Sequence, residues 1–299
     1  MFNIVSKRFW FFLASGIVIL AGIISMTTFG RLKAGIEFSS GSIMTVNFEQ
    51  EVTKTRLEEE LAGLGYTNVI IQRAGENDWL IRLPELTAQA KSELGTGLTA
   101  ALGHFEIREF DSVSPMIATE TVRTAGIAVA IATIGILLYV TWVFRRMPHP
   151  FRYGTCAIIA LIHDALVAIT VFSILSGVMG WEVNLMFVIG ILTVIGYSIN
   201  DTVVIFDRIR ENLTIDIKAD FETIVNNSLV ETLPRSLNTS LTTAFVVLAL
   251  ILFVGASIQN FAVPLLTGII TGTYSSIGIA SPLLVVWQKG EWRRFIPGA

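Results

Sequence analysis

Gly196-Tyr197-Ser198-Ile199-Asn200-Asp201-Thr202-Val203-Val204-Ile205-Phe206-Asp207-Arg208-Ile209-Arg210-Glu211-Asn212 starts inside an apolar run that opens near Val183, and it finishes in a dense patch of charge. At Asn200 and Asp201 an amide and a carboxylate sit where the hydropathy indicates lipid, five residues before the apolar pattern stops. An ionisable group there costs about 3 kcal/mol even on the lenient insertion scale, so it is expected to face a protein interior and to serve a function. On a helix, Asp201, Val204, Arg208 and Glu211 share a face, being three, four and three residues apart. The plainer alternative is a helix end snorkelling its carboxylate toward water, for which Asp has a short stem.

The rest of the chain agrees with a membrane setting. Of its 299 residues 53% are hydrophobic and only 15% charged, with a mean hydropathy of +0.66. A soluble domain keeps roughly a quarter of its residues charged. The net charge of −3 says little, because the signs are separated along the chain. The one cysteine, Cys156, lies among aliphatic residues and reads as packing; alone it makes no intrachain disulfide.

Six apolar runs stand out: 9–29, 125–144, 153–177, 183–206, one ending near Val254, and 261–287. The first follows Lys7 and Arg8, exceeds the apolar core of a secretory signal and lacks an A-x-A site before Arg31. It reads as a retained first span with Phe9, Trp10, Phe11 and Phe12 as an interfacial anchor. Arg145, Arg146 and Arg152 lie between spans two and three, Arg208, Arg210 and Lys218 between four and five, and Lys289, Arg293 and Arg294 close the chain. The turns at 177–182 and 255–260 hold no Lys or Arg. By the positive-inside rule both termini are expected in the cytoplasm of a multi-pass protein of the cell membrane.

Residues 31–123 are water-soluble in character, with nine Lys or Arg against fourteen Asp or Glu. Met44, Val46 and Phe48 alternate as on a strand. Residues 52–64 form a helix with Leu57, Leu61 and Leu64 as its buried stripe and Gly65 as its stop. Residues 68–73 and 79–83 read as strands around a turn at 74–78, 86–102 as a second helix weakened by Gly95 and Gly97, and 104–111 as a last strand. The order β-α-β-β-α-β is the ferredoxin-like split unit. The expected organisation is a first helix through residue 30, an extracytoplasmic ferredoxin-like α+β domain over 31–122, a five-helix membrane domain over 123–287 and a cytoplasmic tail over 288–299.

Further polar residues punctuate the spans. The clean apolar part of span five, 241–254, is too short for a bilayer, so the helix is expected to begin near Arg235, with Pro234 in its first turn. At ~1.5 Å per residue from the outer ends, Asp201 lies about 27 Å down and Arg235 about 30 Å down, so the two reach similar depth. Arg235 could equally snorkel alone to the interface. His163 and Asp164 occupy span three, with Asp164 about 20 Å down; they are either interhelical glue or part of a proton relay. Asn238, Thr239, Ser240, Thr242 and Thr243 offer an amide and hydroxyls able to hold a file of water. In span six Gly268, Gly272, Ser276 and Ala280 form a ridge of small residues suited to a close helix crossing.

A carboxylic acid out of water holds its proton more tightly, and an approaching guanidinium loosens that hold. An acid and an arginine at one depth are therefore a minimal device for coupling a proton gradient to movement, with ~2.3 kcal/mol per charge available from each 100 mV. There is no G-x-x-x-x-G-K-[ST] and no dinucleotide fingerprint. His104, His149 and His163 are too scattered for a metal site, and no cofactor beyond the proton is expected. An intramembrane protease using Asp164 and Asp201 as a dyad would be an enzyme, but neither acid stands in a G-x-G-D and the two differ in depth by about 7 Å.

The fourth-span stretch from Gly196 to Asn212 resembles the signature of SecF, the membrane partner of SecD in bacterial and archaeal protein export. Arg235, within Leu233-Pro234-Arg235-Ser236-Leu237-Asn238-Thr239-Ser240, is similar to the family's fifth-span arginine, and His163-Asp164 to its third-span pair. The resemblance covers the whole chain. It implies an RND-type transporter half in which Asp201 and Arg235 conduct protons together with a carboxylate on SecD. It also implies the Sec channel, its ATPase and an exported polypeptide as partners, a lipid membrane as the setting, and no nucleic acid. One departure lies after span one, where the family reads G-[IVL]-D-F-x-G-G and this chain reads Gly35-Ile36-Glu37-Phe38-Ser39-Ser40-Gly41-Ser42. If the first paired glycine needs a positive φ, Ser40 either bears the strain or the turn differs. The segment then has either a coupling role or only leads into the first strand. A half of a small-molecule RND exporter and a non-conducting scaffold subunit are the competing readings.

Overall fold

The computed structural model describes residues 3–28, 32–67, 69–75, 77–255 and 258–291. Among the positions singled out above, Phe29, Arg31, Asn68, Glu76, Arg293 and Arg294 lie outside the described residues. Two compact units emerge, one formed by Ala34–Gly126 and the other by Met1–Lys33 with Ile127–Ala299.

The smaller unit contains a short helix α2 (Ile36–Ser39; α1 belongs to the other unit), then β1 (Gly41–Phe48), α3 (Lys54–Gly63), β2 (Ile70–Arg73), β3 (Asp78–Leu83), α4 (Ala88–Leu102) and β4 (Phe105–Val113). Its sheet order is β2-β3-β1-β4 with every pair antiparallel, which is the ferredoxin-like arrangement. The alternation of β1 turns Met44, Val46 and Phe48 inward onto Leu57, Leu61, Leu94 and Leu98. Thr53 and Thr87 cap the two helices, their hydroxyls accepting from the amides of Arg56 (3.4 Å) and Ala90 (3.2 Å). Leu64 departs from the expected stripe: α3 ends at Gly63, and Leu64 is 40% exposed, lying across Gly97 of α4. Gly65 stops the helix with φ +94°.

Ser40 answers the question raised by the altered turn. It adopts φ 61° and ψ 169°, a region that is essentially glycine's, so it bears a strain of about 1–3 kcal/mol. Gly41 follows at φ +120°, where a Cβ would fall 2.8 Å from the Leu83 carbonyl oxygen. Gly35 is the N-cap of α2, and Glu37 sits half-buried in its first turn.

The larger unit is a helix bundle: α1 (Arg8–Thr28, after a 3-10 turn at Val5–Lys7), α5 (Pro115–Val143, which starts within the smaller unit), α6 (Pro150–Met179), α7 (Leu185–Ile215), α8 (Phe221–Phe253) and α9 (Gln259–Ser275), continued through a π segment (Ser276–Ala280) into α10 (Ser281–Lys289). Among the described residues six helical stretches are long and apolar enough to cross a membrane, α9 through α10 counting as one. Three boundaries differ from expectation. Helix α5 begins ten residues before the apolar run and α7 continues nine beyond it, because backbone hydrogen bonding carries on where lipid stops. Pro234 does not open span five but lies inside the 33-residue α8. It deprives the Val230 carbonyl of its i+4 donor, a loss tolerated in a stretch rich in side-chain hydroxyls such as Thr232, which donates to Ser228 O (2.7 Å).

The bundle core groups Phe144, Tyr153 and Phe206 with Ile205, Ile209, Val225 and Leu229. Phe144 stacks on Tyr153 (5.4 Å), and Phe206 meets both rings edge-on. Span six runs through the middle, with α9 against α6, α7 and α8. Pro282 lacks the N–H that an α-helix would use to bind the Gly278 carbonyl, and the π segment absorbs that break.

Candidate functional site

The site follows from how closely span six approaches span four. A Cβ on Gly268 would fall 2.1 Å from Val194 Cγ2, and one on Gly272 would fall 3.0 Å from Ser198. Gly268, Gly272, Ser276 and Ala280 are all buried, and the first three line the crossing with α7. Ser276 Oγ donates to Gly272 O (2.8 Å) or shares a hydrogen bond with Thr202 Oγ1 (2.8 Å). Without side chains to hold the helices apart, the short hydroxyls of α9 reach the carboxyls of its neighbours.

Asp201 is one of these carboxyls. It is 5% exposed, and its Oδ2 accepts from Ser240 Oγ of α8 and Thr273 Oγ1 of α9, each at 3.2 Å. Thr273 Oγ1 also lies 2.5 Å from Ser240 Oγ. Each hydroxyl carries one proton, so the trio shares two donors among the carboxyl and one another. Arg235 makes no ion pair with Asp201. It stays exposed and lines an open cavity of about 420 Å³ between α7 and α8 with Val203, Val204, Asp207, Arg208 and Glu231.

Asp164 is the second carboxyl and is fully buried. Its Oδ2 accepts from Ser198 Oγ of α7 (2.5 Å) and Ser275 Oγ of α9 (2.7 Å), and its Oδ1 lies 2.9 Å from His163 Nδ1. The two acids are not bonded to each other; each has its own hydroxyls.

The other residues singled out from sequence lie apart from the carboxyls. Asn200, Asn238 and Thr239 are exposed. The hydroxyls of Thr239, Thr242 and Thr243 donate to carbonyls of their own helix, at Arg235 (2.9 Å), Asn238 (3.0 Å) and Thr239 (3.0 Å). Of the expected water file only Ser240 turns to Asp201, because a threonine in a helix finds a backbone acceptor one turn back. Sequence reasoning missed Thr273 and Ser275 as partners and Ser198 as a donor. For Thr273 and Ser275 the signal was a hydroxyl-rich run, Thr271-Gly272-Thr273-Tyr274-Ser275-Ser276, within an apolar span.

Comparison with known proteins fits this arrangement. Residues 94–290 match the family model described as protein export membrane protein SecD/SecF, C-terminal. The protein translocase subunit SecF of Anaerolinea thermophila is 42% identical over 99% of this chain and 97% of its own length. The chain belongs to the SecF family. The SecF of Thermobaculum terrenum is likewise 42% identical, over 98% of this chain and 96% of its own. The match to SecDF of Bacillus subtilis is 37% identical over 97% of this chain and 38% of that longer protein. Among solved structures, SecDF from Thermus thermophilus, titled a translocon-associated membrane protein, superposes with a TM-score of 0.82 at 30% identity, over 96% of this chain and 39% of that one. A subunit of the SecF family is thus a multi-pass membrane protein of the protein-export machinery, with the fold described above.

Proposed function

We propose that this SecF-family chain works with a SecD-like subunit to turn the proton gradient into late-stage movement of an exported polypeptide, with Asp201 as the proton carrier and Arg235 as its switch. The observation that carries this reading is a carboxyl out of water whose described partners are hydroxyls, while Arg235 stands off in an open cleft. In the protonated state Asp201 is neutral and its cluster is satisfied without a counter-charge. When Arg235 swings in, the ionised form is favoured and the proton leaves. Alternation between the two arrangements ties one proton to one movement of α8 against α7.

The exposed face bearing Asn200, Arg235, Asn238 and Thr239 is where a SecD-like subunit would complete the site. That the Bacillus subtilis relative carries SecD and SecF in one protein supports that partner. The basic loops between spans two and three and between four and five support a topology with both termini in the cytoplasm and the ferredoxin-like unit outside, facing the emerging polypeptide. The Sec channel and its ATPase are the further partners of this reading, and the proton is its only coupling ion.

The test is proton-dependent secretion by Asp201→Asn and Arg235→Met chains assembled with the SecD-like subunit. Both are expected to insert, to hold the partner and to lose the proton-dependent part of secretion. Normal secretion in Asp201→Asn overturns the proton role, and loss of assembly without loss of proton flux returns the chain to a scaffold.

A further inference from the structure

Two acids, not one, are served by span six, and the second is paired with an imidazole whose outer nitrogen is unsatisfied. His163 is 6% exposed, and its Nε2 is buried without a hydrogen-bond partner while Nδ1 faces Asp164. A buried ring nitrogen without a partner is rare enough to require an explanation. The same ring forms part of the wall of a cavity of about 330 Å³ between α1, α6 and α9, together with Ser15, Val18, Val167, Thr271 and Tyr274. Tyr274 lies beside the imidazole at 5.9 Å, and its hydroxyl donates to Phe11 O (2.8 Å), leaving it no proton for His163.

We infer that the His163–Asp164 pair is a second proton-binding site, loaded at His163 Nε2 and coupled to Asp201 through span six; the inference deepens the reading of Asp201 given above. In the unloaded pair His163 donates its Nδ1–H to the Asp164 carboxylate, and Ser198 and Ser275 supply two more donors. Loading breaks an O–H bond of a hydronium, which leaves as water, and forms an N–H bond at Nε2. The product is an imidazolium beside a carboxylate, neutral overall and thus suited to an apolar surround. The titratable groups around it are Asp164 on its own helix, Tyr274 on α9, and Asp201 three residues beyond Ser198 on α7; α1 brings no titratable side chain to the cavity.

The coupling comes from shared helices. On α9, Thr273 serves Asp201 and Ser275 serves Asp164; on α7, Asp201 itself lies three residues after Ser198, which serves Asp164. A shift of α9 against α7 that releases one carboxyl therefore disturbs the donors of the other. The π segment begins at the next residue, Ser276, and such turns recur at functional sites.

The full chain in lipid nanodiscs, carrying His104→Gln and His149→Asn so that His163 is its only histidine, allows a direct test by nitrogen-15 NMR. Acidification is expected to add a proton at Nε2, read as a change in its nitrogen-15 shift. Its proton affinity is expected to differ at least about fivefold between this chain and the same chain with Asp201→Asn, and Ser275→Ala is expected to abolish that difference. Thr273→Val, which removes a hydroxyl from the Asp201 cluster, carries the same comparison should Asp201→Asn fail to accumulate. A His163 that keeps one protonation state throughout, or titrates identically with and without Asp201, overturns the proposal. A difference that survives Ser275→Ala overturns the route through span six. Because the readout is internal to the chain, an unmoved His163 alongside lost secretion in Asp201→Asn refutes this coupling and leaves the role of Asp201 standing.

Discussion

Two polar clusters in the helical unit use the same kinds of side chain to opposite ends. Around Arg8 every charge is answered: its guanidinium pairs with Glu222 (2.9 Å) and Glu291 (2.7 Å), and Lys289 reaches Glu222 (2.5 Å) and Asp220 (3.6 Å). Asn226 Oδ1 accepts from the backbone amide of Ile4 (2.8 Å), so the cluster ties the N-terminal turn, the start of α8 and the end of α10 together. Around Asp201 and Asp164, deeper in the spans, the partners are hydroxyls and one imidazole. A closed cluster has one arrangement and anchors the helices. A cluster fed by hydroxyls, which can donate or accept, is satisfied in either protonation state and can therefore switch.

The contrast breaks most visibly at Arg8. Arg8→Met leaves Glu291, largely out of water, without its cation while Glu222 keeps Lys289, so a loss of about 3 kcal/mol is expected in unfolding of the purified chain, with secretion per folded molecule unchanged. Gly268→Ala should show the opposite division of effects. Its methyl meets the stiff, β-branched Val194, so α9 must back away from α7; about 1–3 kcal/mol is expected to go, and proton-dependent secretion to fall well beyond what stability explains, because Thr273 and Ser275 lose their reach. At the small end, Arg208→Gln removes pairs with Glu211 and Glu231 that lie in solvent, and neither the unfolding midpoint nor secretion should move measurably. A large effect there would mean that the rim of the Arg235 cleft takes part in switching.

Much of this was legible from residues alone, for identifiable reasons. The spans and the ferredoxin-like order are written in hydrophobic period, and period is set by which face is buried. Helix ends were less legible, since hydropathy marks where lipid ends while the hydrogen-bond ladder of α5 and α7 runs on. Pro234 misled because its value as a helix starter is a local property, whereas the surrounding hydroxyls and the packed helix decide whether a break is tolerated. Asp201 announced itself by the price of a charge in lipid. Thr273 and Ser275 did not, because a hydroxyl in a helix satisfies itself on its own backbone and only the neighbour's distance reveals a second task.

Proton uptake into liposomes holding this chain and its SecD-like partner, driven by an imposed gradient, tests the central claim most directly. With Asp201→Asn the account predicts uptake no faster than in empty liposomes, from a complex that is still folded and assembled. Uptake at the unaltered rate would contradict it.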